Sequence, residues 1–320
     1  MDHYQRSLLN TFNTHQIDRV SHRRLDDRWI NDRLADQNTK LVPVWQLKNL
    51  VSGADALSPV FLSTTEIQGV RAAYPPILLG LDKDQAFFAL VLTPEGQPPA
   101  VLTQLGTFQD LRQSAPLLKP GDASLLAYAR AIVYWHTRHR FCGDCGSPTA
   151  VREAGHMREC TNPNCAQRHF PRTDPAIIVL VTDHDHCLLG RKPGWPRGLY
   201  STIAGFVEPG ECIEHAVQRE VWEETGVEVA EMHYQSSQPW PFPSSLMLGF
   251  RAYASSTSIC VGQDELEDAR WVSRAELRDN LASGTIRLPT DISISYRLIE
   301  GWYNEGHLGL LADAQASAEG

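Results

Sequence analysis

Apolar and polar positions follow two periods along this chain, and the changes of period mark the elements. Pro175 to Val181 is an unbroken apolar, β-branched run, the pattern of a strand buried on both faces, and Cys187 to Gly190 continues the sheet after the polar turn Asp183 to His186. Leu199 to Ala204 leads into a glycine-flanked loop. From Cys212 the period lengthens: Ile213, Ala216, Val217 and Val221 fall on one stripe at about 100° per residue, and Gly226 stands where a helix C-cap glycine belongs. Ser245 to Tyr253 and Ala269 to Val272 predict further strands, with an acidic turn, Gln263 to Glu267, ahead of the second. A closing helix is expected near Ser295 to Asn304. Upstream, Pro76 to Leu81 and Ala86 to Leu92 predict strands of a small mixed domain. A helix is predicted after Pro120-Gly121-Asp122, capped by Asp122 or Ser124, with Leu125, Leu126, Ala129, Ile132, Val133 and His136 on one face.

The stripe of the 213–225 helix carries the first chemical signal. Glu220 and Glu224 fall inside it, whereas Gln218 and Trp222 take the outer face. Carboxylates turned toward a core are costly unless paired or metal-bound. Glu223 stands beside them, Arg219 precedes them, and Glu211 waits in the loop ahead. Several carboxylates from one short helix make a hard oxygen donor set of the kind that suits Mg²⁺ or Mn²⁺ and binds phosphate oxygens at the same time. Metal-assisted attack on a diphosphate is the chemistry implied.

Composition narrows the rest. The 320 residues, 42% of them hydrophobic, suffice for two or three units, and a net charge of −9 offers no global attraction to nucleic acid. The N-terminus lacks an apolar signal region and no apolar run approaches a membrane span, so a cytoplasmic protein without membrane contact is expected. No internal repeat stands out along the chain and no catalytic motif before residue 138, where a structural role is expected. The basic run Arg138-His139-Arg140 reads as a solvated helix end ahead of the rival reading, a contact for phosphate or RNA.

Four of the seven cysteines form two turn-borne pairs, Cys142-x2-Cys145 and Cys160-x4-Cys165. Four thiolates complete a closed tetrahedral Zn²⁺ site, which is structural because no position is left for substrate. His156 and His169 are spare imidazoles nearby. Cys187, Cys212 and Cys260 occur singly and are expected to be small buried hydrophobes.

A third signal is Ser237-Gln-Pro-Trp-Pro-Phe-Pro-Ser-Ser245. Its prolines exclude a helix or central strand and leave a stiff, extended segment, expected to present Trp240 and Phe242 to a flat ring.

Gly205, Glu211, Arg219, Glu220, Val221, Glu223, Glu224, Gly226 and Val227 match the Nudix box, Gly-x5-Glu-x7-Arg-Glu-U-x-Glu-Glu-x-Gly-U with U aliphatic, at every specified position. The Ser237–Ser245 segment and the zinc ribbon ahead of the box resemble the NADH pyrophosphatases, also described as NAD-capped RNA decapping hydrolases. The resemblance implies an α+β or α/β chain. A small mixed domain over 1–137 and a zinc ribbon over 138–169 would precede a Nudix α/β/α sandwich with a mixed sheet over 170–310; a disordered tail would cover 311–320. It implies metal contacts from Glu220, Glu224, Glu265 and the Ala204 carbonyl. Substrate contacts would come from Phe170, Phe206, Gln238, Pro239, Trp240, Pro241, Phe242, Pro243, Ser244, Ser245, Glu265 and Ser295. Glu223, Glu224 and Glu265 are the candidates for the general base, with Glu211 and Arg219 completing the catalytic set. A homodimer acting on NAD(H), and on NAD-capped RNA, is the implied arrangement. This chain departs from the family's pattern in the spacing of its second cysteine pair, in Phe170 for tyrosine and in Ser295 for alanine. Hydrolysis of ADP-ribose or dinucleoside polyphosphates, or a non-catalytic sensor of ligand or nucleic acid, are the rival readings.

Overall fold

The computed structural model describes residues 1–13, 17–67, 70–262 and 265–316. Gln263 and Asp264 of the expected acidic turn lie outside them. The chain forms two compact units, one of Met1–Thr11, Asp174–Pro239 and Ser245–Gly320, the other of Phe12–Thr173 and Trp240–Ser244.

Helix α1 (His3–Leu9) opens the chain, held at its start by an Asp2/Gln5 capping box. It belongs to the first unit rather than to the expected 1–137 domain. Ser237 N donates to Ser7 Oγ (3.0 Å), and Asn10 Nδ2 donates to the Ser237 carbonyl (2.8 Å) and Ser236 Oγ (3.1 Å), so polar pairing fastens it.

The second unit contains α2 (Asp27–Ala35), β1 (Lys40–Trp45), β2 (Lys48–Ser52), β3 (Ser58–Pro59), β4 (Ile77–Asp82) and β5 (Gln85–Val91). After these come α3 (Ala100–Thr103), β6 (Thr107–Gln109), α4 (Leu111–Ser114) and the long α5 (Pro120–Arg138). Its sheet runs β3-β2-β1-β5-β4 with β6 on β2, and α5 lies across β1, β2 and β5. Neither expected cap, Asp122 or Ser124, caps helix α5: Lys119 is the N-cap and Pro120 takes the first turn, where its fixed φ and missing N–H cost nothing. The ribbon strands β7 (Thr149–Arg152), β8 (Met157–Cys160) and β9 (Arg168–His169) form a separate antiparallel sheet.

The first unit continues with β10 (Asp174–Asp183), β11 (His186–Arg191), β12 (Ile203–Phe206), α6 (Ile213–Thr225), β13 (Val229–Trp240), β14 (Ser245–Ala254) and β15 (Asp268–Ser273). Helices α7 (Arg274–Ala282), α8 (Ile294–Asn304) and α9 (Leu311–Ala316) close it. The sheet runs β13-β14-β10-β11-β15, with β10 parallel to β14 and antiparallel to β11 and β12. The unbroken apolar run of β10 follows from its neighbours on both faces. Ile177, Val179 and Val181 pack with Ala216, Val217 and Val221 of α6, while Ile178 and Leu180 pack with Ile294, Leu298, Ile299 and Trp302 of α8. From Ala176 to Val181 every position is core, so none is free to be polar.

Three expectations need correction here. The 311–320 tail is a helix as far as Ala316: Leu311 is fully buried in the α8-side core, and the Tyr296 hydroxyl donates to Gln315 Oε1 at 3.0 Å. Residues 317–320 lie outside the described residues. Of the lone cysteines only Cys187 is buried; Cys212, the N-cap of α6, and Cys260 are exposed.

The third correction concerns repetition. The β4-β5-β1-β2-β6 path of the second unit repeats the β13-β14-β10-β11-β15 path of the first. In both, the central pair is parallel and the next two pairs are antiparallel. In both, a two-residue turn joins the central hairpin, Trp45 facing Lys48 and Asp183 facing His186. The repeat is one of topology, carried by backbone pairing that many apolar sequences satisfy.

Candidate active site and zinc knuckle

Helix α6 presents the box because its apolar stripe is pinned to the sheet and its end is stopped by Gly226, whose left-handed φ of 70° suits glycine. Arg219 organises what lies around the stripe. Its Nε and Nη2 donate to the two Glu211 oxygens (3.1 and 2.6 Å), Nη1 to Glu220 (2.9 Å) and Glu223 (3.0 Å), and Nη2 also to the Phe206 carbonyl (2.9 Å). The planar fork thus ties the loop acid and the strand to the helix, which a lysine could not do at once. Its hydrogen bonds, with one from the Glu208 backbone, hold the Glu211 carboxyl down at about 2.

Glu220, Glu224 and Glu265 bring carboxylate oxygens within 4.8 Å of one another. Glu220 is buried and Glu224 is only 1% exposed, while Glu265 is exposed. Burial pushes Glu220 above the usual carboxylate range despite the Arg219 bond. It raises Glu224 to about 7, against the pull of Lys192. Gly205 makes room for this cluster: a Cβ there would stand 1.9 Å from Glu220 Cδ. Gly205 and Ala204 sit in β12 opposite Ile177 and Ile178 of β10. Neither buried Glu224 oxygen accepts a directed hydrogen bond among the described residues. The donor set therefore fits a small hard cation: oxygen-only, crowded with like charge and left without directed hydrogen bonds at its most buried member.

Lys192, just after β11, was not anticipated. Its Nζ lies 3.0 Å from Glu224 and 3.8 Å from Glu265. It stands outside the box motif, at the end of β11, whose Arg191 pairs with Asp268 of β15 shortly after Glu265.

The four cysteines expected to bind zinc have their sulfurs within 4.8 Å of one another. Cys142 and Cys165 Sγ are 3.8 Å apart and Cys145 and Cys160 Sγ 3.4 Å, each contact joining one pair to the other as a tetrahedral ion requires. Neither spare imidazole, His156 or His169, joins the four sulfurs. His156 Nε2 bonds the Leu78 carbonyl at 2.6 Å. His136 is neutral by construction, its Nε2 bonding the Gly155 carbonyl (2.8 Å) while its Nδ1 accepts from Arg158 (2.9 Å). Burial holds both histidines down at about 4.

The proline–aromatic segment differs from its expected presentation. Phe242 is buried, its ring flanked by the Arg112 and Arg130 guanidinium groups at 4.6 and 4.7 Å and by Trp240 edge-on at 5.1 Å. Arg130 also donates to the Pro241 carbonyl. Trp240 and Ser244 are half-buried, Pro239 likewise, and Pro243 is exposed after a cis peptide bond. Gln238 is fully buried: its amide donates to the Thr11 and Ile292 carbonyls (3.0 and 2.6 Å) and accepts from Ile294 N (2.8 Å). Ser245 is buried where β14 begins, opposite Asp174. Ser295 is buried too, its Oγ bonded to Ser201 Oγ (2.8 Å) and Thr202 Oγ1 (2.9 Å). Gln238 and Ser295 side chains are thus saturated by the protein itself, and position backbone rather than reach outward. Phe170 and Phe206, 56% and 57% exposed, keep open faces.

Residues 172–289 match the NUDIX domain model, 38–135 an NADH pyrophosphatase-like rudimentary NUDIX domain, and 137–170 the NADH pyrophosphatase zinc ribbon. The chain belongs to the NADH pyrophosphatase family of Nudix proteins. The rudimentary domain is the second unit's copy of the sheet. Among similar proteins are the NAD-capped RNA hydrolase NUDT12 of Homo sapiens, 43% identical over 196 residues covering 58% of this chain and 42% of that protein. NAD-capped RNA hydrolase NudC of Stutzerimonas stutzeri is 46% identical over 193 residues, covering 60% and 66%. The mitochondrial NAD(P)H pyrophosphatase NUDT13 of Homo sapiens is 39% identical over 239 residues, covering 70% and 66%. The chain spans 42% of the length of the NUDT12 relatives it matches. No helix among the described residues is long and apolar enough to cross a membrane.

Proposed function

We propose that this protein hydrolyses the diphosphate linkage of NAD(H), giving nicotinamide mononucleotide (reduced from NADH) and AMP, and that it removes NAD caps from RNA 5′ ends. The observation that carries the proposal is the convergence of Glu220, Glu224 and Glu265 at one point with Glu224 buried and without a directed hydrogen bond. Names of relatives identified as NAD-capped RNA hydrolases and NAD(P)H pyrophosphatases support the substrate class.

Glu220, Glu224, Glu265 and the Ala204 carbonyl would hold Mg²⁺ or Mn²⁺. When bound, such an ion neutralises diphosphate charge and lowers the pKa of an attacking water. The chain's own groups do the remaining work. Arg219 keeps Glu220 and Glu223 aimed by holding both, with Glu211 as its counterweight. Glu223, Glu224 or Glu265 takes the water's proton. Phe206 and Phe170 offer open faces for an aromatic ring, Trp240 stacks on the nicotinamide or adenine, and Phe242 fixes the Trp240 ring edge-on. Pro239, Pro241, Pro243, Ser244 and Ser245 set the segment's path. Cys142, Cys145, Cys160 and Cys165 hold one structural Zn²⁺. A cytoplasmic homodimer completes the reading.

The test is parallel incubation of the purified protein with Mg²⁺ or Mn²⁺ and NADH, NAD⁺, ADP-ribose or NAD-capped RNA, following mononucleotide release by chromatography. Metal-dependent release from NAD(H) or the capped RNA is expected, and its absence overturns the proposal. Trp240→Ala is expected to raise KM for NADH about tenfold, the loss of roughly 1–3 kcal/mol of stacking, and to leave ADP-ribose less affected. Equal effects on both would remove that role from the segment.

A further inference from the structure

We propose that Lys192 is the resident counter-cation of the carboxylate cluster: it holds Glu224 and Glu265 in place before a divalent ion arrives, and it competes with that ion for Glu224. The inference rests on the reading that these glutamates take the ion. Five carboxylates meet around α6, and two cations serve them. Arg219 bonds Glu211, Glu220 and Glu223, and Lys192 contacts the other two, Glu224 and Glu265. The division leaves Glu224, 1% exposed, with the ammonium at 3.0 Å and no directed hydrogen bond.

A bare carboxylate at that depth costs several kcal/mol, so Glu224 in its charged form needs a cation beside it whenever the ion is absent. An ammonium suits a temporary post better than a guanidinium. It is a point charge on a flexible four-carbon stem and gives up no fork of fixed bonds when it moves. The base of that stem is held. Lys192 follows β11 directly, and Arg191 braces the loop beyond by donating to the Trp195 carbonyl (2.7 Å) and the Leu199 carbonyl (3.3 Å). A divalent ion bound to the Glu224 oxygens must displace the ammonium. Lys192 is therefore a positioning residue that weakens ion binding while protecting the metal-free site.

Thermal unfolding of the zinc-loaded full chain, titrated with Mn²⁺ in the absence of substrate, tests this without any reference to turnover. Lys192→Met is expected to melt about 2–4 °C below wild type without Mn²⁺. It should reach half of its Mn²⁺-induced stabilisation at an ion concentration about threefold lower or more, because the competitor is gone. Lys192→Arg should restore the metal-free melting temperature, and Glu220→Gln should abolish the Mn²⁺ response in either background. Unchanged half-saturation in Lys192→Met overturns the proposal. A wild-type protein indifferent to Mn²⁺ overturns the ion site itself and the competition with it, which separates the two failures.

Discussion

Two sheets with one strand order carry different cargo. In the first unit the segment between β12 and β13 folds into α6 and brings an arginine and four of the carboxylates around it to the edge of β12. In the second, the segment from Leu62 to β4 forms no helix among the described residues, and its acid, Glu66, is spent on the Ser63 backbone and hydroxyl at 2.7 Å each. The difference can be followed to single positions. Leu41 lies four residues before Trp45 and bridges Leu62, just as Val179 lies four before Asp183 and pairs with Ile203. Counting on two residues from each partner, Gly205 corresponds to Thr64. The first unit has a vacancy for a carboxylate at that point, and the second has a side chain. Strand order is shared because backbone pairing and apolar faces suffice for it, whereas the chemistry depends on a few positions that a scaffold survives without.

The comparison breaks most severely if the first unit's buried acid is dispensable. Glu224→Gln keeps the shape and removes the charge, and kcat for NADH is expected to fall by about 10³ or more, with the melting temperature unchanged or raised. Near-normal turnover would remove the cluster's assigned function. Gly205→Ala gives the first unit a side chain at the position where the second has one. The new methyl collides with the Glu220 carboxyl, so the glutamate must leave its place, and about 10² in kcat/KM is expected to go with it. Circular dichroism should show the fold intact, and unchanged kinetics would mean that Glu220 tolerates displacement.

The smallest effect belongs to the second unit and is read in its stability. His136 and His156 have folded pKa values of about 4, below the 6.5 of an unfolded histidine, so the unfolded state binds more protons between those limits. Stability is therefore complete above pH 6.5 and declines as pH falls toward 4, by on the order of 1–2 kcal/mol per histidine once partial exposure and relaxation are allowed for. Denaturant melts followed from pH 7.5 to 4.5 should show the loss, and His136→Gln should flatten it. A pH-independent second unit would mean that neither imidazole is held neutral.

Much of the site was legible in the sequence because the box lies in one short stretch. Glu220 and Glu224 are four residues apart on a helix whose apolar stripe is obvious, and that spacing alone turns both toward the sheet. The two cysteine pairs are equally local, since a thiolate pair on a turn has few uses. Lys192 was not legible. It lies 32 positions before Glu224, and no period or motif marks it. Gln238 and Ser295 were legible as members of a pattern, but their burial and internal bonding were not, because those are properties of a polar side chain's neighbours.

The sequence by itself determined the helix that carries the acids, the two thiolate pairs, the doubly buried central strand and the family they announce. Each rests on spacing within one element, where covalent geometry decides which side chains share a face. Tertiary structure alone decided that Arg219 serves three carboxylates and Lys192 the other two, that Phe242 is locked between two arginines, that α1 joins the first unit, and that one sheet repeats the other. Those outcomes depend on which distant residues are brought within a few ångströms, and short-range electrostatics and packing act only after the chain has brought them there.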